Sequence, residues 1–169
     1  MLSAFLDVDG AATVTGISGG VVVVGLGNRY RKDDGVGVVA AAALGELALP
    51  RVRVITDVAE PLGLLDAWSG ATLAVVIDAA VAKPSMPGRV RRFTPGELTT
   101  AREGLSSHTI DIDRTRALGQ ALGRVPDALV VFSIDVADVG HGSGLTPRVA
   151  GAVPEVVRLV VEEINRCSC

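Results

Sequence analysis

Unbroken apolar runs, rather than alternating ones, mark the strand candidates along this chain. Val21–Val24, the segment TLAVVIDAA (72–80) and the segment ALVVFSI (128–134) carry small or β-branched apolar residues at almost every position. A strand reads this way when helices cover both of its faces, as in a parallel sheet. RVRVITD (51–57) is a shorter strand of period two, and RVRRFT, from Arg89 to Thr94, is β-prone but heavily charged, which suits a sheet edge. Between these lie helical segments. Asp34–Leu49 is rich in Ala and Val, Glu60–Trp68 fits one or two turns, and Thr109–Gly123 places Ile110, Leu118 and Leu122 on an apolar face. In Thr146–Asn165 a Thr-Pro pair supplies cap and first turn, and Val149, Val153, Val156, Val157, Val160 and Ile164 recur at helical spacing. Strands and helices alternate, and right-handed crossovers turn that order into an α/β fold: a three-layer αβα sandwich around a mostly parallel, twisted five-stranded sheet with a charged edge strand. Residues 1–19, glycine-bearing and without a sustained period, read as a flexible leader, residues 20–166 as a single domain and 167–169 as a tail.

Composition narrows the functional classes. The 169 residues suffice for one core, and an apolar share of 49% with only 3% aromatics means that Val, Ala and Leu must fill it. Such a chain offers no aromatic platform for single strands, and 16 basic against 19 acidic residues leave no surplus for phosphate backbones, so nucleic acid is not an expected partner. The longest strongly apolar stretches, Val21–Val24 and Val36–Leu44, fall well short of the ~20 residues of a membrane helix, so no membrane association is expected. Met1–Gly20 lacks a basic start and is interrupted by Asp7 and Asp9, unlike a signal peptide; a cytoplasmic monomer is expected. Cys167 and Cys169 stand too close together to staple a fold, which fits a reducing compartment.

Ligands of doubly wound sheets bind beyond the carboxyl ends of the strands. Three polar segments have that address: GLGNRYRKDDG (25–35), Asp78 at the end of a strand, and the loop holding His108. Gly25 and Gly27 begin a dinucleotide fingerprint, but Tyr30 stands where its third glycine belongs, and Asp33 and Asp34 put negative charge where a pyrophosphate needs amide donors. The two acids either cap the following helix or face a ligand. Asp78 either bonds backbone amides of the next turn or meets a partner, because an unpaired buried carboxylate is costly. His108 alone reads as a surface residue or helix cap, or as a ligand. Together, two carboxylates and an imidazole on one rim form an oxygen and nitrogen set able to hold a divalent transition metal with open positions. Ser106 and Ser107 precede His108, but there is no G-x-S-x-G elbow, and a nucleophile on the cysteine tail would be poorly placed. A hydrolase built on these residues would use a water activated by metal or carboxylate.

At these residues the chain resembles the hydrogenase maturation endopeptidases, which trim the large subunit of nickel-iron hydrogenases. VVVVGLGNRYRKDDGVGVVAAAAL is similar to the family's amino-terminal signature of strand, G-x-G-N, four residues, two acids and G-x-G opening a helix. Asp78, a Pro87–Gly88 turn before an edge strand, Ser106–His108 and GLTP at 144–147 follow in the family's order. The resemblance covers residues 20–165 and implies a phosphorylase/hydrolase-like αβα sandwich. It implies removal of a carboxyl-terminal extension from the large-subunit precursor after nickel insertion. Asp34, Asp78 and His108 would be the catalytic and metal-contacting residues. The metal would be nickel presented by the substrate, not held tightly by the free enzyme. Gly27, Asn28 and Asp33 would line the substrate. SIDVADVGHG (133–142) lacks the glutamate-containing turn of well-matched members and carries His141 instead, read as a specificity element or an exposed loop residue. A non-catalytic, metal-sensing maturation partner on the same fold, or a nucleotide-binding protein, are the competing expectations.

Overall fold

The computed structural model describes residues 19–58, 60–100 and 107–168. All but one of the residues expected to form a leader lie outside this set, as does Cys169. Five strands form one sheet: β1 (Val21–Gly25), β2 (Val52–Ile55), β3 (Leu73–Ala80), β4 (Val90–Phe93) and β5 (Ala128–Asp135). Their order is β2-β1-β3-β5-β4, every pair parallel except β4 with β5. The expected three layers are present. Alternate strand residues, among them Val23, Val75, Ile77 and Phe132, pack on α1 (Val36–Gly45) and α5 (Pro147–Cys167). Val22, Val24, Val76 and Val131 face the other way, onto α2 (Pro61–Trp68) and α4 (Ser107–Leu122). All eight residues of β3 are buried, as its unbroken apolar run requires.

β4 is the charged edge strand, and its charges are paired rather than solvated. Arg92 makes a two-pronged contact with buried Glu163 of α5 at 2.8 Å through Nε and 2.8 Å through Nη2. Arg89 and Arg91 both reach Asp135 at the end of β5, at 3.2 and 2.8 Å. Such planar forks bind the edge strand to its neighbours while marking it against pairing with another sheet.

Three expectations need correction. The helix expected from Asp34 to Leu49 is shorter: a single 3-10 turn, Lys32–Gly35, precedes α1 and holds both acids. A short helix that the sequence pattern does not announce, α3 (Pro95–Thr100), follows β4, started by a capping box in which the Thr94 N–H and hydroxyl donate to Glu97 at 2.7 and 2.9 Å. On α4 the side chain of Ile110 lies outside the described residues, Leu118 and Leu122 are 42% and 57% exposed, and the described packed face is Ile112, Thr115 and Gly119. The reason is close approach. A Cβ on Gly119 would lie 2.7 Å from the Arg124 carbonyl oxygen and 3.0 Å from Leu65, so only the glycine face can sit against α2. The tail expected from 167 is likewise partly helix, since α5 continues through Cys167. Among the described residues no helix is long and apolar enough to cross a membrane.

The corrected face of α4 gives a stability contrast. Ile112→Ala is expected to cost about 2–4 kcal/mol and Leu118→Ala less than about 0.5 kcal/mol in urea unfolding, because only the first opens a cavity. Equal losses would restore the leucine face.

Candidate active site

The strand order reverses direction between β1 and β3, since the chain leaves β1 for β2 on one side and β3 lies on the other. At such a switch point the connections part and leave a crevice beyond the carboxyl ends of the strands. Asp34 follows β1 into this crevice and Asp78 occupies the carboxyl half of β3. Asp78 is fully buried, and strand alternation turns it toward the layer of α2 and α4. Helix α4 precedes β5 and runs against the strands, so its first turn lies at this same end. His108 belongs to that turn, not to a loop ahead of it. Its side chain lies outside the described residues.

The glycine loop is shaped around Asp34. Gly27 has φ +118°, and a Cβ there would fall on the backbone carbonyl oxygen of Asp34. Only glycine permits that contact. The next residue, Asn28, donates its N–H to Asp34 Oδ2 at 2.9 Å, while its own Oδ1 accepts from the Tyr30 N–H at 2.9 Å, an Asx turn that reverses the chain. Gly37 completes the arrangement: a Cβ there would strike the carbonyls of Leu26 and Ile77, so α1 can start directly against β1 and β3. Neither acid caps α1, which has no side-chain cap hydrogen bond. Gly27 and Asn28, expected to line the substrate, therefore have a visible part in holding Asp34.

Asp33 has a different fate from its neighbour. It is fully buried, and its carboxylate accepts four hydrogen bonds: from the N–H groups of Ala137, Asp138 and Thr146 at 3.0, 3.0 and 2.7 Å, and from the Thr146 hydroxyl at 2.8 Å. Burial opposes its ionisation, but the backbone donors, with the hydroxyl, outweigh burial and hold its carboxyl below the ordinary carboxylate value. The expected contact of Asp33 with substrate is thus corrected: its oxygens are consumed inside the protein. Thr146 is corrected with it, since the residue expected to cap α5 makes no cap bond and donates to Asp33 instead.

Further bonds join the same two loops. Lys32 Nζ meets Asp138 Oδ2 at 2.7 Å, the Lys32 N–H donates to the Gly142 carbonyl at 3.0 Å, and the Gly142 N–H returns to the Tyr30 carbonyl at 3.0 Å. His141 is exposed on this seam, next to the bridge between Arg31 and Gly142. The topology thus puts Asp34, Asp78 and the first turn of α4 at the same end of the sheet, with His141 on a loop joined to that of Asp34. Among the described residues no three His, Cys, Asp or Glu side chains form a metal-holding group. Cys167 ends the 21-residue α5, whose start is at the rim, so its thiol lies roughly 30 Å from the site. Sequence reasoning missed Asp135. Like Asp78 it ends an apolar run, is fully buried and faces the same layer two residues further along, yet Arg89 and Arg91 neutralise it. Its signal, an acid closing a strand, was the one that singled out Asp78.

Comparison with known proteins identifies the family. The model of the HycI hydrogenase maturation protease family matches residues 28–163, a span that holds Asp34, Asp78, His108 and His141. The chain belongs to the hydrogenase maturation protease family. As a member it is a hydrolase of the endopeptidase class that acts in hydrogenase processing. Its fold is similar to that of the hydrogenase maturating endopeptidase HybD from E. coli, at 20% identity over 87% of this chain and 93% of that one, with a TM-score of 0.75. The NiFe hydrogenase maturation protease HybD from Thermococcus kodakarensis is similar at 24% identity over 86% and 99%, TM-score 0.73. HycI from the same organism is similar at 22% identity over 86% and 92%, TM-score 0.65. At these identities the structures establish the fold of this maturation protease, which is the sandwich its strand pattern predicts. No curated protein sequence matches the chain.

The Asp33 knot generates a prediction with a definite sign. Its folded pKa lies below the unfolded value near 3.8, so its contribution to stability is complete above that value and is lost as pH falls through the lower folded value. Asp33→Asn places amide hydrogens against N–H donors and is expected to lower stability at pH 7 by about 2–4 kcal/mol. It should also flatten the loss of stability below about pH 4. Urea midpoints measured from pH 7 to pH 3 check both; an unchanged acid limb would remove Asp33 as its source.

Proposed function

We propose that this maturation protease removes the carboxyl-terminal extension of a nickel-iron hydrogenase large-subunit precursor, and does so after nickel has been inserted. The topology supports the reading: Asp34 follows β1, Asp78 lies in the carboxyl half of β3, and the first turn of α4, bearing His108, is at the same end of the sheet. In this reading nickel belongs to the substrate. The donor set suits it: two carboxylates and one imidazole form an incomplete shell for a divalent transition metal, too weak to keep a free ion but able to complete the shell of one already bound by substrate thiolates. Completing that shell would fix the nearby peptide bond against the rim, so that cleavage depends on a filled cofactor site.

The hydrolytic step needs only water as co-reactant. Its oxygen adds to the acyl carbon, the carbon–nitrogen bond breaks, and the proton passes to the leaving amine. Asp34 is the group we assign to receive that proton first. Asn28 holds its Oδ2, and the side chain is half-buried at the mouth of the crevice, while Asp78 lies fully enclosed. A carboxylate oriented by one backbone N–H is a suitable base when a water stands within hydrogen-bond reach. Gly27 and Asn28 then act through Asp34, and His141, on the neighbouring loop, is assigned to substrate selection.

The deciding experiment offers purified protein the nickel-loaded and nickel-free forms of a co-encoded large-subunit precursor and follows the mass of the large subunit. Cleavage of the loaded form alone is expected, with Asp34→Asn lowering the rate by about a hundredfold or more at unchanged folding stability. Equal cleavage of both forms would overturn the nickel requirement. Binding of loaded precursor without cleavage would instead favour a non-catalytic sensor.

A further inference from the structure

Beside the site lies a groove of about 320 Å³ between the Asp34 loop, α1 and the segment 143–145. Its walls are apolar: the ring of Tyr30, Val39 and Ala42 of α1, and Leu145. Tyr30 is 74% exposed and Val39 36% exposed, an unusual outlay of apolar surface for a chain with one tyrosine and three phenylalanines. Two cations line it. Lys32 is committed to Asp138, while the exposed guanidinium of Arg29 has no ion pair or side-chain hydrogen bond among the described residues. Gly35, which follows Asp34 in the chain, is part of its lining.

The groove is built in advance. Its two walls belong to the loops that Asp33 ties together, and the bonds linking Lys32 and Tyr30 to Gly142 cross directly between them. A recess held open by such bonds loses little entropy when filled. At this volume it is at the small end of ligand sites, fit for the side chains of a short peptide segment rather than a nucleotide cofactor. A larger groove of about 1030 Å³ runs between β2 and α2, but its cations are engaged, Arg124 by Asp66 and Arg53 by the Ala67 carbonyl, so it carries no comparable charge preference.

We propose that this groove is a specificity subsite for the protein substrate, and that it takes a segment pairing an aliphatic side chain with a neighbouring carboxylate. The aliphatic group fills the space between Tyr30, Val39 and Leu145; the carboxylate meets Arg29. The chain carries a net charge of −3, so a basic spot at the groove discriminates against the rest of its own surface as well as among partners. Because Gly35 of its lining directly follows Asp34 in the chain, a segment seated in the groove lies against the loop that carries Asp34. The assignment of the segment to a precursor rests on the function proposed above, whereas the groove's chemistry does not.

The test uses the full chain and two peptide probes, acetylated Glu-Leu-Leu-Glu amide and acetylated Lys-Leu-Leu-Lys amide, titrated while backbone amide shifts are followed. The acidic peptide is expected to bind about fivefold or more tightly and to shift residues 29–32, 39 and 143–145. Arg29→Glu should reverse the preference, and Val39→Gln, which removes apolar wall without adding charge, should weaken both peptides. Circular dichroism keeps folding in view, and both positions are exposed. Equal affinities, absence of binding by either peptide, or shifts confined to other surfaces would each overturn the subsite. Failure of the wild-type protein to cleave any precursor would count against the proposed function while leaving the peptide result to stand.

Discussion

The fully buried carboxylate of Asp33 is the constraint on which the active-site rim depends. A charge taken out of water is costly by several kcal/mol unless hydrogen bonds replace its hydration. Here four donors from residues 137, 138 and 146 do so. Those donors come from the loop after β5 and from the start of α5, more than a hundred residues away in sequence. The chain cannot satisfy Asp33 without bringing the two loops into one arrangement. Once it has, the position of Asp34 is set by a covalent neighbour that cannot move.

The split between two adjacent aspartates follows from the turn that holds them. A 3-10 helix has three residues per turn, so consecutive side chains point about 120° apart. In Lys32–Gly35 this sends Asp33 inward and leaves Asp34 half-buried toward the crevice. An α-helix beginning at Asp34 would have spent both acids on capping. The flanking glycines make the tighter turn possible, Gly27 by receiving the Asp34 carbonyl and Gly37 by letting α1 press against β1 and β3. The sequence G-x-G-N through D-D-G-x-G is therefore a description of backbone proximity as much as of chemistry.

Buried strands declare themselves through composition, and so β1, β3 and β5, the layers and the charged edge were legible in apolar runs and their order. α5 was legible too, with Val149, Val156, Val160 and Ile164 all buried as their spacing requires. What depended on close approach was not. Leu118 and Leu122 look like a packing face until Gly119 is seen to admit the backbone of Arg124, a contact that leaves no mark on hydrophobic periodicity. The rim position of Asp34 and Asp78 follows from strand order alone. The inward turn of Asp33 does not, because its partners are backbone N–H groups, which every sequence possesses. The resemblance to the maturation endopeptidases named the family and the three rim positions; it could not show that Asp33 serves the frame.

Asp78 and Asp135 show why a strand-ending acid is a site candidate and not yet a site. Both follow a largely apolar run, both are buried, and strand alternation turns both toward the same layer. Sheet order then separates them. Asp135 lies on β5 beside the edge strand, whose Arg89 and Arg91 converge on it, so its charge is used to fix β4. Asp78 lies one strand further in, its register partner on β5 being Ser133, with β1 and the Asp34 loop on its other side. The same residue in the same local pattern becomes a structural anchor at one position and a member of the candidate catalytic rim at the other, and the difference is made by which strand happens to lie next to it.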